Sequence, residues 1–152
     1  LTCIKSLIKL SVFFLVTLII SGCSQEPQPI EYDKDSCTHC MMLITDNKYG
    51  AELITSKGKC FKFDAVECLA EYLIENKSDE MDNAALWITD FTKPSHFINA
   101  KTAYYLQNEK FHSPMGFNVL AVEDENEMKK IKDEHGGKKL NWEEIVELVK
   151  SM

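Results

Sequence analysis

A chain of 152 residues that is 45% hydrophobic and 27% charged has the material for one globular domain and an appendage, and is too short for two domains of ordinary size. Its formal charge of −7, from 17 basic and 24 acidic side chains, excludes a nucleic-acid ligand, because affinity for a phosphate backbone rests on clustered Lys and Arg. Six cysteines are too many for filler and too few for a disulfide-packed mini-protein, so each is read by its position.

Lys5 and Lys9 precede an apolar or small stretch from Leu10 to Ile20, closed by Ser21, Gly22 and Cys23. The run falls short of the roughly 20 apolar residues that a membrane-spanning helix needs and has no basic stop-transfer flank, so residues 1–22 read as a signal peptide. Ile20-Ser21-Gly22-Cys23 resembles the bacterial lipobox, which implies that the Cys23 thiol carries a diacylglycerol and becomes the mature N-terminus. Cys3 then leaves with the leader. Acyl chains contribute about 0.8 kcal/mol per buried methylene, enough for stable attachment by two or more chains. Ser24 after the anchor points to the outer rather than the inner membrane, with the domain on the periplasmic face.

Residues 23–35, with Pro27, Pro29, Gln25 and Gln28, show no apolar periodicity and read as a lipid-anchored flexible tether. The folded part is expected over 36–152. Ala51 to Thr55 and Lys59 to Phe63 are β-prone runs separated by Ser56-Lys57-Gly58, a hairpin signal in which glycine supplies the positive φ. Asp64 and Glu67 then have the spacing of a capping box, opening a helix to about Glu75 with Ala65, Leu69, Tyr72 and Leu73 on one face. Leu86 to Asp90 reads as a strand, and Asn99 as the cap of a short helix through Gln107 with Ala100, Ala103 and Tyr104 inward. Phe117 to Val122 is a further strand, followed by a helix opened by Asp124 and Glu127 and stopped at Gly136-Gly137. A last helix begins at Asn141, where Asn141 and Glu144 repeat the cap spacing and Leu140 and Ile145 suit a hydrophobic staple. Trp87, Trp142, Tyr72 and Phe97 are expected in the core. A glycine-led strand followed by a capped helix occurs after Gly50 and again after Gly116, which predicts a two-part α+β domain.

Cys37-Thr38-His39-Cys40-Met41-Met42 packs thiols, thioethers and an imidazole into six residues. Such polarizable donors favour Cu(I), whereas Mg and Ca prefer oxygen. A haem attachment motif fails, since Met41 stands where histidine is required. Three other readings stay open at this point: a dithiol redox pair, against which the stretch before Cys37 is polar and irregular; a structural zinc site, which lacks a second CxxC or a close His pair; and a plain disulfide formed in an oxidising compartment. Phe111-His112-Ser113-Pro114-Met115-Gly116 holds Met115 on a stiff turn, where it serves as packing or as a ligand.

Taken together, these motifs resemble those of the NosL family, the lipoprotein accessory factors of nitrous-oxide reductase. The family pattern is a lipobox, C-x-x-C-G-M, a glycine-led hairpin ending in Phe-Asp, a helix often bearing cysteine, a strand ending in Asp-aromatic, T-P-M-G and a later Gly-Gly. Here these appear as Cys23, as Cys37, Cys40 and Met42, as Phe63-Asp64 with Cys68, as Asp90-Phe91, as Ser113-Pro114-Met115-Gly116, and as Gly136-Gly137. Met41 departs from the family glycine and Ser113 from the family threonine.

The resemblance implies an α+β domain of two paired ββα-type units, like the accessory domain of organomercurial lyase. It also implies a non-enzymatic Cu(I) metallochaperone serving nitrous-oxide reductase or its maturation ABC-transporter complex. The family's metal ligands are carried onto Cys37, Cys40, Met42 and Met115, with His39 and His112 as auxiliaries at most. The rival function is a periplasmic dithiol-disulfide oxidoreductase using Cys37 and Cys40. Cys60 is expected to face away from Phe61 and Phe63, alongside Lys62, by strand alternation. Cys68 reads as a small buried hydrophobe.

Overall fold

The computed structural model describes residues 24–151, so the expected signal peptide and the expected anchor at Cys23 lie outside the described residues. Two antiparallel sheets carry the domain. The first has β1 (Ala51–Ile54), β2 (Cys60–Phe63), β3 (Ala85–Thr89) and β4 (Phe97–Asn99) in the order β2-β1-β3-β4. The second has β5 (Tyr104–Gln107), β6 (Val119–Val122) and β7 (Lys138–Leu140) in the order β6-β5-β7. Helices α1 (Val66–Glu75) and α2 (Asp79–Asp82) follow β2; α3 (Glu125–His135) follows β6, and α4 (Trp142–Lys150) ends the chain. Strand, strand, helix therefore occurs twice, as β1-β2-α1 and β5-β6-α3, and the expected pairing of two ββα units in an α+β fold is what the chain forms. No helix of the described residues is long and apolar enough to cross a membrane.

The first hairpin follows its sequence signals. Gly58 takes φ 80° in the turn, where its N–H donates to the Thr55 carbonyl at 2.8 Å. Every residue of β1 is buried because the strand is central and covered on both faces. Leu53 pairs with Phe61 and Ala51 with Phe63, and both phenyl rings lie 5.3 Å from the Tyr72 ring on α1.

The opposite face of that sheet presents the row Lys62, Glu52, Trp87. Along it run residues 25–29. The Trp87 indole N–H donates to the Gln25 carbonyl at 2.9 Å, the Gln28 N–H to Glu52 Oε2 at 2.8 Å, and Lys62 Nζ to the Pro29 carbonyl at 2.8 Å. Ile30 is buried beside Gly50, where a Cβ would stand 2.8 Å from Ile30 Cδ1. The polar segment expected as a tether thus lies along the sheet for most of its length. Its residues lack periodicity because they satisfy strand side chains through backbone groups rather than through an apolar stripe.

Two local expectations are corrected. Residues 99–107 form no helix: β4 ends at Asn99, whose Oδ1 accepts from the Lys101 N–H at 2.9 Å, and β5 begins at Tyr104. Asn99 closes an Asx turn, and Tyr104-Tyr105-Leu106 take the strand geometry that aromatic residues favour. Asp64 and Glu67 form no capping box either: the N-cap is Ala65, without a side-chain cap. The boxes and caps expected elsewhere are present, with Asp124 accepting from the Asn126 and Glu127 amides, and Asn141 and Glu144 bonded reciprocally.

Helix α4 packs on α1, and the Phe91 N–H donates to the Ala121 carbonyl at 2.8 Å, joining the two sheets. The main core, which includes Leu53, Phe63, Leu69, Tyr105 and Ile145, runs beneath both units.

Candidate metal centre

The loop from Ser36 to Leu43 is closed by an antiparallel bridge between those two residues. Inside it the Cys37 N–H donates to the Met42 carbonyl at 2.8 Å and the Met41 N–H to the Cys37 carbonyl at 3.0 Å. Because β2 is an edge strand, its outer carbonyls are free to accept, and the Thr38 N–H reaches the Lys62 carbonyl at 2.8 Å. That bond fastens the loop beside the start of α1. Met41 turns the chain with φ 65°, which accounts for the family glycine: the position demands a left-handed backbone that glycine takes without steric opposition.

Ligand atoms of Cys37, Cys40, Asp64 and Cys68 all lie within 4.8 Å of one another. Cys37, Asp64 and Cys68 are buried and Cys40 is partly exposed; all three cysteines are free thiols. Cys40 Sγ donates to Asp64 Oδ2 at 3.4 Å, while Asp64 Oδ1 has no partner among the described residues. The failed capping box has its cause here. Asp64 turns its carboxylate to the thiols instead of to the helix amides, and Glu67 turns inward to the Ser113 hydroxyl.

The thiols are not equivalent. The Cys68 S–H donated to Cys37 lowers the Cys37 thiol to about 6; burial opposes this, and the amides of Cys40, Asp64 and His39 aimed at the same sulfur support it. Cys68 is raised by that shared bond, by burial and by Asp64. Burial pushes Cys40 up to about 11. A thiolate on Cys37 flanked by two protonated thiols is the charge pattern the pocket favours in the absence of an ion.

Of the residues singled out in the sequence, Cys37 and Cys40 are brought together. Met42 closes the same loop at 46% exposure, its N–H directed at the Cys40 sulfur. Met115 is partly buried against the main core and lines a cavity of ≈ 540 Å³ with Gln107, Asn108, Phe117 and Leu148. Its loop is bound to α1 by Ser113 Oγ, which donates to Glu67 Oε1 at 2.7 Å and accepts from the Asn118 N–H at 2.9 Å. Glu67 immediately precedes Cys68.

The His39 imidazole is engaged by carboxylates of α1: Nε2 lies 2.8 Å from Glu71 Oε2 and Nδ1 lies 3.5 Å from Glu75 Oε2, so carboxylates meet both ring nitrogens. His112 is exposed. Cys60 faces Glu52 and Lys62 as expected, and burial pushes its thiol up to about 12. Cys68 is fully buried as expected, yet its sulfur belongs to the thiol group. No local spacing signals it, because Asp64 precedes the extended N-cap Ala65 and so lies outside the helix that carries Cys68.

An α+β domain of two joined ββα units, with three thiols and a carboxylate gathered where a CxxC loop meets a helix, defines a class of small single-domain proteins with a pocket suited to a soft metal ion. The NosL family model matches residues 29–149, and the chain belongs to that family. The copper-binding lipoprotein NosL of Stutzerimonas stutzeri is 26% identical over 145 residues, covering 86% of this chain and 76% of that protein. The crystal structure of the copper chaperone NosL from Shewanella denitrificans matches with a TM-score of 0.66 at 24% identity, over 80% of this chain and 96% of that one.

Proposed function

We propose that this protein is a Cu(I)-binding metallochaperone, lipid-anchored through Cys23 on the periplasmic face of a bacterial membrane, that delivers copper for nitrous-oxide reductase assembly. It does so directly or through that enzyme's maturation ABC-transporter complex. The observation that carries the reading is the convergence of Cys37, Cys40, Cys68 and Asp64 within 4.8 Å. Three sulfurs match a soft monovalent ion, and the buried Asp64 Oδ1, without a partner among the described residues, is a polar atom that a bound ion would satisfy. Cys37 and Cys40 are the resident ligands, Cys68 adds a third sulfur, and Met42 and Met115 supply thioethers from the loop and from the strap tied to Glu67. Partial coordination by such donors lets an acceptor add its own ligands before the ion leaves, so no covalent chemistry is needed.

Reduced protein titrated anaerobically against a Cu(I) chelator of known affinity is expected to take up about one ion. Cys37→Ser, Cys40→Ser and Met115→Ala each lower the affinity. Equal affinity in all variants removes the assignment.

The lowered Cys37 thiol favours one rival, a dithiol oxidoreductase. Burial weighs against it. Cys37 is 0% exposed, and the more accessible Cys40 is held protonated, so no nucleophilic sulfur faces a substrate disulfide. Insulin reduction that depends on both cysteines and ignores Met42 and Met115 would reverse that judgement.

A further inference from the structure

The soft donors of the 37–42 loop form a series whose exposure rises outward from the core. Cys37 is fully buried, Cys40 partly buried, Met42 46% exposed and Met41 73% exposed. Among the described residues the exposed large hydrophobics are Met41, Met42 and Leu43, all at this one place. Cys37, Asp64 and Cys68 are closed off by the core, so the Cys40 side is the way out of the thiol group.

Met41 stands on that side in a backbone conformation, φ 65°, that a side chain adopts only against steric opposition. The bond from its N–H to the Cys37 carbonyl at 3.0 Å fixes the turn, so the thioether is held outward rather than folded into the core. Backbone strain that the surroundings maintain is found where a site needs a particular presentation. A methionine side chain is unbranched with three rotatable bonds and a polarizable sulfur. From a Cα about 3.8 Å from that of Cys40, that sulfur can swing between the neighbourhood of Cys40 and solvent.

We infer that Met41 is a transit ligand: its thioether takes Cu(I) from Cys40 as the ion leaves and presents it to the accepting protein. The inference rests on the copper reading above. In the step, a sulfur lone pair of Met41 forms a new Cu–S bond as the bond to Cys40 breaks, and the bonds to the remaining sulfurs break as donors of the accepting protein bind the ion. Copper stays monovalent, and the freed Cys40 sulfur takes a proton from solvent.

The test compares wild type, Met41→Leu and Met41→Gly, each loaded with one Cu(I) and mixed in stopped flow with a chromogenic bidentate Cu(I) chelator. Equilibrium competition is run on the same samples. Leucine keeps the exposed apolar bulk without the sulfur, and glycine also relaxes the backbone. Both variants are expected to slow transfer by about tenfold, the effect of removing one modest interaction from the transition state, with a smaller change in equilibrium affinity. Leucine that transfers as fast as wild type overturns the inference and leaves Met41 as part of an apolar patch. Unchanged transfer in both variants overturns it as well. If wild type takes up no Cu(I), the loading step itself overturns the copper reading, before any transfer is measured.

Discussion

Glu67 is the acid whose ionisation the fold opposes most directly. It lies on α1 at 1% exposure, with Oε1 accepting the Ser113 hydroxyl at 2.7 Å and Oε2 without a partner among the described residues. Burial raises its carboxyl from 4.5 to about 7, although the Ser113 bond pulls the other way. The folded protein therefore keeps the proton until about pH 7, whereas the unfolded chain releases it near 4.5. The associated stability is fully present below the lower value and is lost as the pH rises through the upper one. At about 1.4 kcal/mol per unit, the loss across that window is about 3 kcal/mol.

Glu67→Gln keeps an oxygen for Ser113 and cannot ionise. In urea unfolding of the metal-free protein, the variant should gain about 2.5 kcal/mol on wild type between pH 5 and pH 8, since part of the effect is already lost at pH 5. An amide nitrogen left without a partner costs the same at both values, and every other titrating group cancels in the comparison. A stability difference between the two proteins that is the same at pH 5 and pH 8 would refute the reasoning.

Cys68→Ala removes the S–H that is the largest cause of the lowered Cys37 thiol. Thiolate absorbance near 240 nm should then titrate at higher pH, toward the ordinary cysteine range, and an unchanged titration would show that the amides alone hold the thiolate. Gly137→Ala places a Cβ 2.7 Å from the Gln107 carbonyl oxygen at φ 121°, and should cost about 2 kcal/mol in denaturant unfolding. Gly116→Ala, at φ 78° with open space around it, should cost about 1 kcal/mol; the reverse order would contradict the packing of β7 on β5.

Features set by neighbouring residues could be read from the sequence. The Gly58 turn, the Asp124 cap and the Asn141 capping box each need only residues within four positions, and all three form. Features decided by distant partners could not. Asp64 and Glu67 carry a perfect local cap signal, but the thiols on one side and Ser113, 46 positions away, on the other compete for their oxygens and win. Residues 25–29 look like a solvated linker because their contacts with Trp87, Glu52 and Lys62 are made by main-chain atoms, which leave no pattern in side-chain polarity. Strand β7 has no sequence signal, since Lys138-Lys139-Leu140 is too short and too charged to read as a strand, and it exists by pairing with β5. Within the thiol group, CxxC spacing pointed to Cys37 and Cys40 directly. Cys68 was hidden by the fact that a buried cysteine on a helix face packs like any small apolar side chain.

The thiol group joins two parts of the fold that have different duties. At the start of α1, Asp64, Glu67 and Cys68 are buried, so they hold the helix in place as well as facing the pocket. In the 37–42 loop, Met41 and Met42 are turned largely to solvent. An ion bound only by the folded state stabilises it by mass action, and at this site it would also give a partner to the Asp64 carboxyl, whose Oδ1 has none among the described residues. On the copper reading proposed above, retention is coupled to the stability of the core through Cys37 and α1, while the exposed side chains of Met41 and Met42 stand at the outer edge of the same site. A carrier profits from that separation, because the rate at which cargo leaves can be tuned at residues 41 and 42 without weakening the helix that holds it.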